Sequence, residues 1–235
     1  MSRNHAASHE AVPTLAETIR GAAWARGLTP AQLARVESDV HERSIPAGDC
    51  VFRRGEPPRH WLGVVSGLVK ISSASPSGKA ITFTGVAAGG WIGESALLRG
   101  GPRKADVVAV RASRVALMPR DTFDWLVDAS IAFSRYLLLQ LNERVGVYFD
   151  SIESNRLEDS DVRIAHCIAS LFNPVLNPGM RKDVPLSQQE IGLLSGTSRQ
   201  RTNQALHALA RCGLVRVAYG GVTVSDPDAL RRFDG

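Results

Sequence analysis

Two arginines and several amide side chains lie within a short stretch of the C-terminal third, between residues 187 and 206. Arginine donates two parallel hydrogen bonds to the edge of guanine, and asparagine or glutamine pairs in the same way with adenine. The serine and threonine hydroxyls beside them can hydrogen-bond to either of these bases. The candidate DNA-binding residues are Ser187, Thr197, Ser198, Arg199, Gln200, Arg201, Asn203 and Gln204.

Capping residues divide this stretch into two helices. Ser187 and Glu190 form a capping box at the start of the first helix, and Gly196 ends it because glycine enters a left-handed turn at little cost. Thr197 or Ser198 can cap the second helix. The inward face of the second helix carries Thr202, Leu206 and Leu209. Its outward face carries the polar residues Arg199, Gln200, Arg201, Asn203 and Gln204. This arrangement predicts a helix-turn-helix, whose second helix enters the major groove; the alternative is a helical hairpin with a solvated polar face.

A second group of residues fits the chemistry of an anion site. Gly93 lets backbone N–H groups approach an anion, and the exposed N–H groups from Gly93 to Ser95 form a nest for it. Arg103 can hold a phosphate with two hydrogen bonds. Glu94 can accept a hydrogen bond from a ribose hydroxyl. The alternative is that Glu94 and Arg103 pair with each other in an empty pocket.

The anion-site residues lie in a segment of short apolar runs cut by glycines, from Pro46 to Leu117. The runs that predict strands are 64–65, 68–71, 80–83 and 107–110, with a hairpin tip at 75–79. Many short strands with regular turns predict an antiparallel β-roll. A capping box at Thr29 and Gln32 begins a helix before this roll, and residues 15–25 form a second short helix.

The central segment from Asp121 to Ile152 is predicted to be helical, because it contains one glycine and no proline. Its apolar residues are spaced 3, 4, 3, 4, as in a heptad a/d stripe. The stripe consists of Leu138, Leu141, Val145, Tyr148 and Ile152. It predicts the seam of a homodimer; the alternative is an amphipathic helix that packs on its own domain.

The predicted fold class is α+β, in four segments. Residues 1–28 form an N-terminal tail and short helix, and residues 29–120 form the β-roll. Residues 121–157 form a long dimerisation helix. Residues 158–235 form the DNA-binding domain, which ends in a two-stranded hairpin because residues 214–224 alternate around Tyr219-Gly220-Gly221.

The 235 residues have the composition of a folded, mildly basic protein. The net charge is +5 and 44% of the residues are hydrophobic, which excludes a largely disordered chain and allows a nucleic-acid partner. No run is long and apolar enough to span a bilayer, so we expect no membrane partner. Three widely spaced cysteines exclude cysteine-clustered metal sites and favour the cytoplasm. No catalytic motif is present, so neither an enzyme nor a metal site is expected.

The capped helix pair and the Gly-Gly hairpin resemble the winged helix-turn-helix of the Crp–Fnr family of bacterial transcription regulators. Gly48, Gly67, Gly78, Gly89 and Gly93-Glu94 resemble the family's N-terminal cyclic-nucleotide-binding β-roll, a jelly-roll-like fold. The resemblance extends from about residue 30 to residue 232. It implies an intertwined homodimer, double-stranded DNA with a palindromic site as partner, and contact with RNA polymerase if the protein is an activator.

The segment from Trp91 to Leu98, followed by Arg103, resembles the family's phosphate-binding cassette. The resemblance implies an effector site, whose candidate residues are Gly93, Glu94, Ser95, Arg103, Lys104, Arg144 and Tyr148. Lys104 replaces a hydroxyl residue of the family. Tyr148 and Phe149 stand where cyclic-AMP binders have small hydroxyl residues, which argues against cyclic AMP.

The sequence leaves several hypotheses about the effector open. One is another anionic effector, such as a cyclic dinucleotide or a different cyclic nucleotide. A second is a vestigial roll with constitutive DNA binding, and a third is a cyclic-nucleotide sensor that acts through protein contacts. The family's iron–sulfur branch needs an N-terminal cysteine cluster, where this chain has only Cys50. His41 and His60 are expected at the surface and not as haem ligands.

Overall fold

The structure is a computed structural model that describes residues 12–75, 77–157, 159–218 and 220–235. Most of the predicted N-terminal tail therefore lies outside the described residues. The helices are α1 (Leu15–Gly21), α2 (Pro30–Asp39), α3 (Glu94–Arg99), α4 (Arg120–Ala129), α5 (Ile131–Leu157), α6 (Ser160–Ser170), α7 (Gln188–Ser195), α8 (Arg199–Arg211) and α9 (Pro227–Arg231), with a 3-10 turn at Ala23–Gly27. The strands are β1 (His41–Ile45), β2 (Cys50–Phe52), β3 (His60–Ser66), β4 (Leu68–Ala74), β5 (Ala80–Ala87), β6 (Trp91–Ile92), β7 (Asp106–Ala109), β8 (Ser113–Pro119), β9 (Asp183–Val184), β10 (Val215–Ala218) and β11 (Gly221–Val224). The predicted α+β class is confirmed.

The roll consists of two four-stranded antiparallel sheets, in the orders β1-β8-β3-β6 and β2-β7-β4-β5. Val64, Val69 and Val115 belong to the apolar core between them and are fully buried. Burying a large aliphatic side chain contributes about 1.5–3 kcal/mol, so this core stabilises the roll. The predicted hairpin joins β4 and β5, with Ser75 N–H bonded to Lys79 O at 2.8 Å. Pro76 at its tip lies outside the described residues.

A cluster of aromatic rings fixes the N-terminal helices and α5 against the roll. Trp24, Trp61 and Trp91 are fully buried, with ring centroids 4.6 to 5.6 Å apart. Phe133 of α5 lies 5.8 Å from Trp24 between ring centroids. Gly63 on β3 allows this close packing, because a Cβ atom there would lie 2.6 Å from the Trp91 ring. The start of α5 is therefore held by the roll.

The central segment differs from the single helix predicted to begin at Asp121. The first helix, α4, ends at Ala129, and Ser130 has an extended backbone with φ −135° and ψ 103°. Ser130 Oγ accepts a hydrogen bond of 3.2 Å from Phe133 N–H and so caps α5. The helical pattern continues through this capping serine, which is why periodicity alone misses the break. The candidate dimerisation helix therefore begins at Ile131, and α4 packs on β3 and β8.

The C-terminal domain places α6, α7, α8 and α9 around one apolar core with the three-stranded sheet β10-β11-β9. The capping boxes predicted at Thr29 and Ser187 are both confirmed. β10 and β11 pair antiparallel from Val215 opposite Val224 to Ala218 opposite Gly221. Tyr219, in the predicted turn, lies outside the described residues. In the parts of the chain described, no helix is long and apolar enough to cross a membrane.

Hydrogen bonds at the edge strand β5 join the roll to the C-terminal domain. Asn177, in the loop after α6, accepts from Ala87 N–H at 3.0 Å and donates to Gly85 O at 3.2 Å. Gly179 N–H donates to Ala88 O at 3.1 Å. Asn177 is only 5% exposed, so these bonds form away from solvent. The loop thereby covers the open edge of β5 and positions the C-terminal domain.

We predict that Asn177→Ala destabilises this contact. The substitution removes two hydrogen bonds and leaves the buried Ala87 N–H without its acceptor, which costs about 1–3 kcal/mol. Urea unfolding of the full chain measures the loss. Ser44→Ala, at an exposed position of β1, is the control and should leave the midpoint unchanged. Equal midpoints for both variants would show that the contact contributes no stability.

Candidate DNA-binding face and effector pocket

The turn between α7 and α8 is fixed by local hydrogen bonds. Ser187 Oγ accepts from Glu190 N–H at 3.3 Å at the start of α7, and Gly196 ends that helix with φ +67°. Ser198 is the residue that caps α8, with its Oγ accepting from Arg201 N–H at 3.2 Å. The positive φ at Gly196 favours glycine, so the sequence dictates where the chain turns.

Three hydroxyl groups tie the two helices together beneath this turn. Thr197 Oγ1 lies 2.8 Å from Thr202 Oγ1 and 2.9 Å from Ser195 Oγ. Thr202 is fully buried at the centre of the inward face of α8. Buried hydroxyls that satisfy one another hold a unique geometry, so the angle between α7 and α8 is set from inside the domain. Thr197 therefore serves the turn with its side chain.

The outward face of α8 is polar. Arg199, Gln200 and Gln204 are exposed, as the sequence predicts for residues that read bases. His207 and Arg211 are also exposed and extend this face towards the end of the helix. The sequence analysis missed them, although their spacing of 7 and 11 residues from Gln200 places them on the same helical face.

Two residues predicted on the outward face are engaged inside the domain. Arg201 Nη2 lies 2.8 Å from Asp161 Oδ1 of α6. Asn203 Oδ1 accepts from Gln188 Nε2 at 2.9 Å. Both flank the buried Thr202, so their side chains turn towards the neighbouring helices. Arg201 and Asn203 are half-buried and contact neighbouring helices, so they are less exposed than the other predicted outward residues, and their role in DNA binding stays a prediction.

The cassette glycine begins α3 as the sequence suggests. Gly93 has φ +103°, a backbone conformation that a side chain would strain. Ser95 in the first turn of α3 and Lys104 in the following loop are both exposed. Because Gly93 has no side chain, the Arg103 guanidinium can approach it closely. Arg103 Nη1 lies 3.1 Å from the position that a Cβ atom on Gly93 would occupy.

Glu94 is buried and paired, and its partner is Arg144 of α5. Glu94 Oε1 lies 2.8 Å from Arg144 Nε, and Oε2 accepts from Trp61 Nε1 at 3.3 Å. Arg144 Nη2 also donates to the Trp91 carbonyl at 2.7 Å. The predicted alternative pairing of Glu94 with Arg103 is therefore wrong. Neither does Glu94 point freely to a ribose, because both of its oxygens already accept hydrogen bonds.

The Arg103 side chain contacts Phe52 and His60 and not Glu94. Its guanidinium carbon is 3.6 Å from the centre of the Phe52 ring, and Nη2 donates to the His60 carbonyl at 2.7 Å. Burial lowers the pKa of Arg103 to about 10, so the side chain still carries its charge at neutral pH. The three cations grouped above as candidate effector residues, Arg103, Lys104 and Arg144, do not converge on one point, because Arg144 is neutralised by Glu94 and Lys104 is exposed.

The predicted stripe of α5 is largely unpacked by the chain itself. Leu138, Val145 and Ile152 are exposed, whereas Leu141 is half-buried. Phe149 is 67% exposed on the same face and was missed as a stripe residue because it falls outside the a/d spacing. The opposite face of α5 packs on the roll.

Tyr148, the remaining residue of the stripe, lies close enough to the Glu94–Arg144 pair for both charges to act on it. Burial raises the pKa of its hydroxyl, and the nearby Arg144 charge opposes that rise. His41 is exposed as expected, whereas His60 is half-buried, and the centroids of the two rings lie 5.4 Å apart. Across the described ranges, no three His, Cys, Asp or Glu side chains are grouped so that they could hold a metal ion.

Two protein-family models match the chain. Residues 42–130 match the cyclic nucleotide-binding domain, and residues 162–233 match the Crp-like helix-turn-helix domain. The first match covers the roll with α3 and α4. The second covers α6 to α9 with the small sheet.

Relatives extend along nearly the whole chain. The CRP-like cAMP-activated global transcriptional regulator of Mycobacterium tuberculosis is 28% identical over 220 residues, which are 92% of this chain and 98% of that protein. The cyclic AMP receptor protein of Thermus thermophilus is 26% identical over 215 residues, with the same coverage of 92% and 98%. The structure of FixK2 from Bradyrhizobium japonicum shares the fold, with a TM-score of 0.70 at 17% identity, over 83% of this chain and 98% of that one. With both domains in this order around a long helix, the chain belongs to the Crp–Fnr family of transcription regulators.

Proposed function

We propose that the protein is a homodimeric regulator of transcription that recognises a palindromic DNA sequence and responds to an anionic nucleotide in its roll. The observation that carries the DNA-binding part is the exposed polar face of α8. The relative from Mycobacterium tuberculosis is named as a transcriptional regulator, which supports the same function here. The dimer, the palindromic site and the effector are further parts of this proposal, each with its own support below.

The face of α8 suits a major groove. The helix has 13 residues and is therefore about 20 Å long, and it begins at an exposed, serine-capped N-terminus. Free backbone N–H groups at that end attract a DNA phosphate. Arg199 and Gln200 in the first turn then approach base edges, and Arg216 on the adjacent hairpin is exposed towards the flanking backbone. Protein-contact helices bury apolar residues, and this face carries none.

The proposed dimer follows from the exposed stripe of α5. Leu138, Val145, Phe149 and Ile152 form an apolar face with exposed fractions between 48% and 67%. A second copy of the same helix is its natural occupant, since identical apolar faces bury each other along a two-fold axis. Such an axis also gives two α8 helices, which a palindrome requires at a spacing of about 34 Å.

The proposed effector is anionic because Arg103 is a buried cation that forms no ion pair among the described residues, although the Glu56 carboxylate is near enough to favour its charge. The Glu94–Arg144 pair favours a second candidate function, constitutive DNA binding, because it already neutralises the charge next to α5. The two candidates differ in one respect only. The first requires that a ligand changes DNA affinity, and the second requires that none does.

Arg199→Ala tests base recognition. We expect a loss of about 1–3 kcal/mol in operator binding and relaxed specificity at one base pair in each half-site. Binding to a set of single-substituted operators measures both. Arg26→Ala removes the same charge at an exposed position outside the C-terminal domain and should change neither. An equal loss on every DNA sequence would show that Arg199 contacts only phosphate.

Val145→Glu tests the dimer. Two glutamates facing each other in a desolvated seam repel, so we expect monomers in sedimentation and DNA binding weakened at least tenfold. Leu139→Glu is the matched control, because residue 139 is exposed on the same helix but turned about 100° from residue 138. A dimer that survives Val145→Glu would place the seam elsewhere.

Calorimetry with cyclic AMP, cyclic GMP and cyclic di-GMP tests the effector. We expect one of them to bind the wild type, and Arg103→Ala to weaken that binding at least about tenfold, as for the loss of a charged hydrogen bond. Arg111→Ala, at an exposed position of the roll, is the control. If none of the three binds and the unliganded protein has full operator affinity, the constitutive candidate is correct.

A further inference from the structure

A polar network joins the exposed face of α8 to the first turn of α6. Arg201 Nη2 lies 2.8 Å from Asp161 Oδ1, and Arg201 Nη1 donates to Gln204 Oε1 at 3.4 Å. One arginine therefore links a carboxylate of α6 to an exposed amide one turn further along α8. Asp161, Arg201 and Gln204 are called the Asp161 network below.

Asp161 fixes the Arg201 side chain. Its Oδ1 atom is buried and has no hydrogen-bond partner among the described residues, so the nearby Arg201 charge is what compensates it. A buried carboxylate oxygen without a cation beside it is unfavourable, which favours the paired arrangement. The guanidinium group is planar and rigid, so holding Nη2 at Asp161 also fixes the position of Nη1.

The contact with Arg201 determines which end of the Gln204 amide is left for other partners. A guanidinium group carries only donors, so the amide atom that faces it is the oxygen and not the nitrogen. Oxygen and nitrogen lie at different corners of the planar amide, so the NH2 group turns away from Arg201. Gln204 is exposed on the face of α8 proposed to meet DNA, and it presents donors there.

Guanine and adenine differ in what they offer to such a side chain. In the major groove guanine presents two acceptors, N7 and O6, whereas adenine presents the acceptor N7 and the donor N6–H2. A free glutamine pairs with adenine because it donates to N7 and accepts from N6–H2. The oxygen of Gln204 is engaged by Arg201, so its remaining donors match guanine better than adenine.

We propose that Asp161 is a specificity-determining residue, which acts through Arg201 to make Gln204 read guanine instead of adenine. The inference rests on the proposed function, since it requires α8 to lie in the major groove. Asp161 need not touch DNA and is a positioning residue. The preference belongs to the Asp161 network and not to glutamine as such, whose usual partner is adenine.

Competition binding of the full-length protein to its selected operator tests the proposal, with each of the four base pairs placed in turn at every half-site position. Gln204→Ala identifies the position that Gln204 reads, because the base preference is lost there. At that position we expect the wild type to favour guanine over adenine by about fivefold or more, and Asp161→Asn to bring the two within about twofold. Contacts to phosphate act on all sequences alike, so they do not change this ratio.

Three further variants separate positioning from stability. Asp159→Asn removes the same charge at the exposed start of α6, where the side chain caps no N–H group, and should keep the wild-type ratio. Asp161→Glu retains the carboxylate and should restore most of the guanine preference. Arg201→Met removes the donor directly and should change the ratio as Asp161→Asn does, which provides the test if Asp161→Asn fails to fold.

Three results overturn the inference and leave the proposed function intact. They are a Gln204→Ala variant that loses preference at no position, a wild-type preference at the Gln204 position for a base other than guanine, and a guanine preference that Asp161→Asn and Arg201→Met leave unchanged. Equal binding of the wild type to all DNA sequences would instead overturn the proposed function, on which the inference rests.

Discussion

The buried ion pair between Glu94 and Arg144 is the contact on which the arrangement of the molecule depends. It joins α3, at the cassette, to α5, and its side chains are 2% and 10% exposed. Removing one partner of such a pair leaves a buried charge and costs about 3–5 kcal/mol. Arg144 also reaches the Trp91 carbonyl, so the pair holds the aromatic cluster, the cassette and the long helix in one geometry.

The Glu94–Arg144 pair couples the cassette to the proposed dimer seam on α5. α5 carries the pair on one face and the exposed apolar stripe on the other, so any shift of the cassette also moves the proposed dimer seam. At the far end of the roll, Asn177 and Gly179 hold the C-terminal domain against β5. A ligand that prefers one arrangement of the cassette would change the placement of both α8 helices, because binding shifts the population of such states.

Local features were predictable from the sequence, whereas partners distant in the chain were not. The capping boxes at Thr29 and Ser187 and the turn at Gly196 depend on residues within a few positions, and the structure confirms them. The partner of Glu94 lies 50 residues away, whereas the partner considered from the sequence was the nearby Arg103. The Arg201–Asp161 pair was missed for the same reason. The helix break at Ser130 was missed because the apolar periodicity continues across it.

Selection of bound sequences from a random pool of duplex DNA tests the central claim most directly, namely that a two-fold pair of α8 helices reads DNA bases. The account predicts that the full-length protein enriches an inverted repeat, with half-site centres about one helical turn, or about 34 Å, apart. Enrichment of single, unpaired half-sites would contradict the two-fold arrangement. Equal binding to all sequences, falling steeply with salt, would show that the protein contacts only the phosphate backbone and would contradict the account.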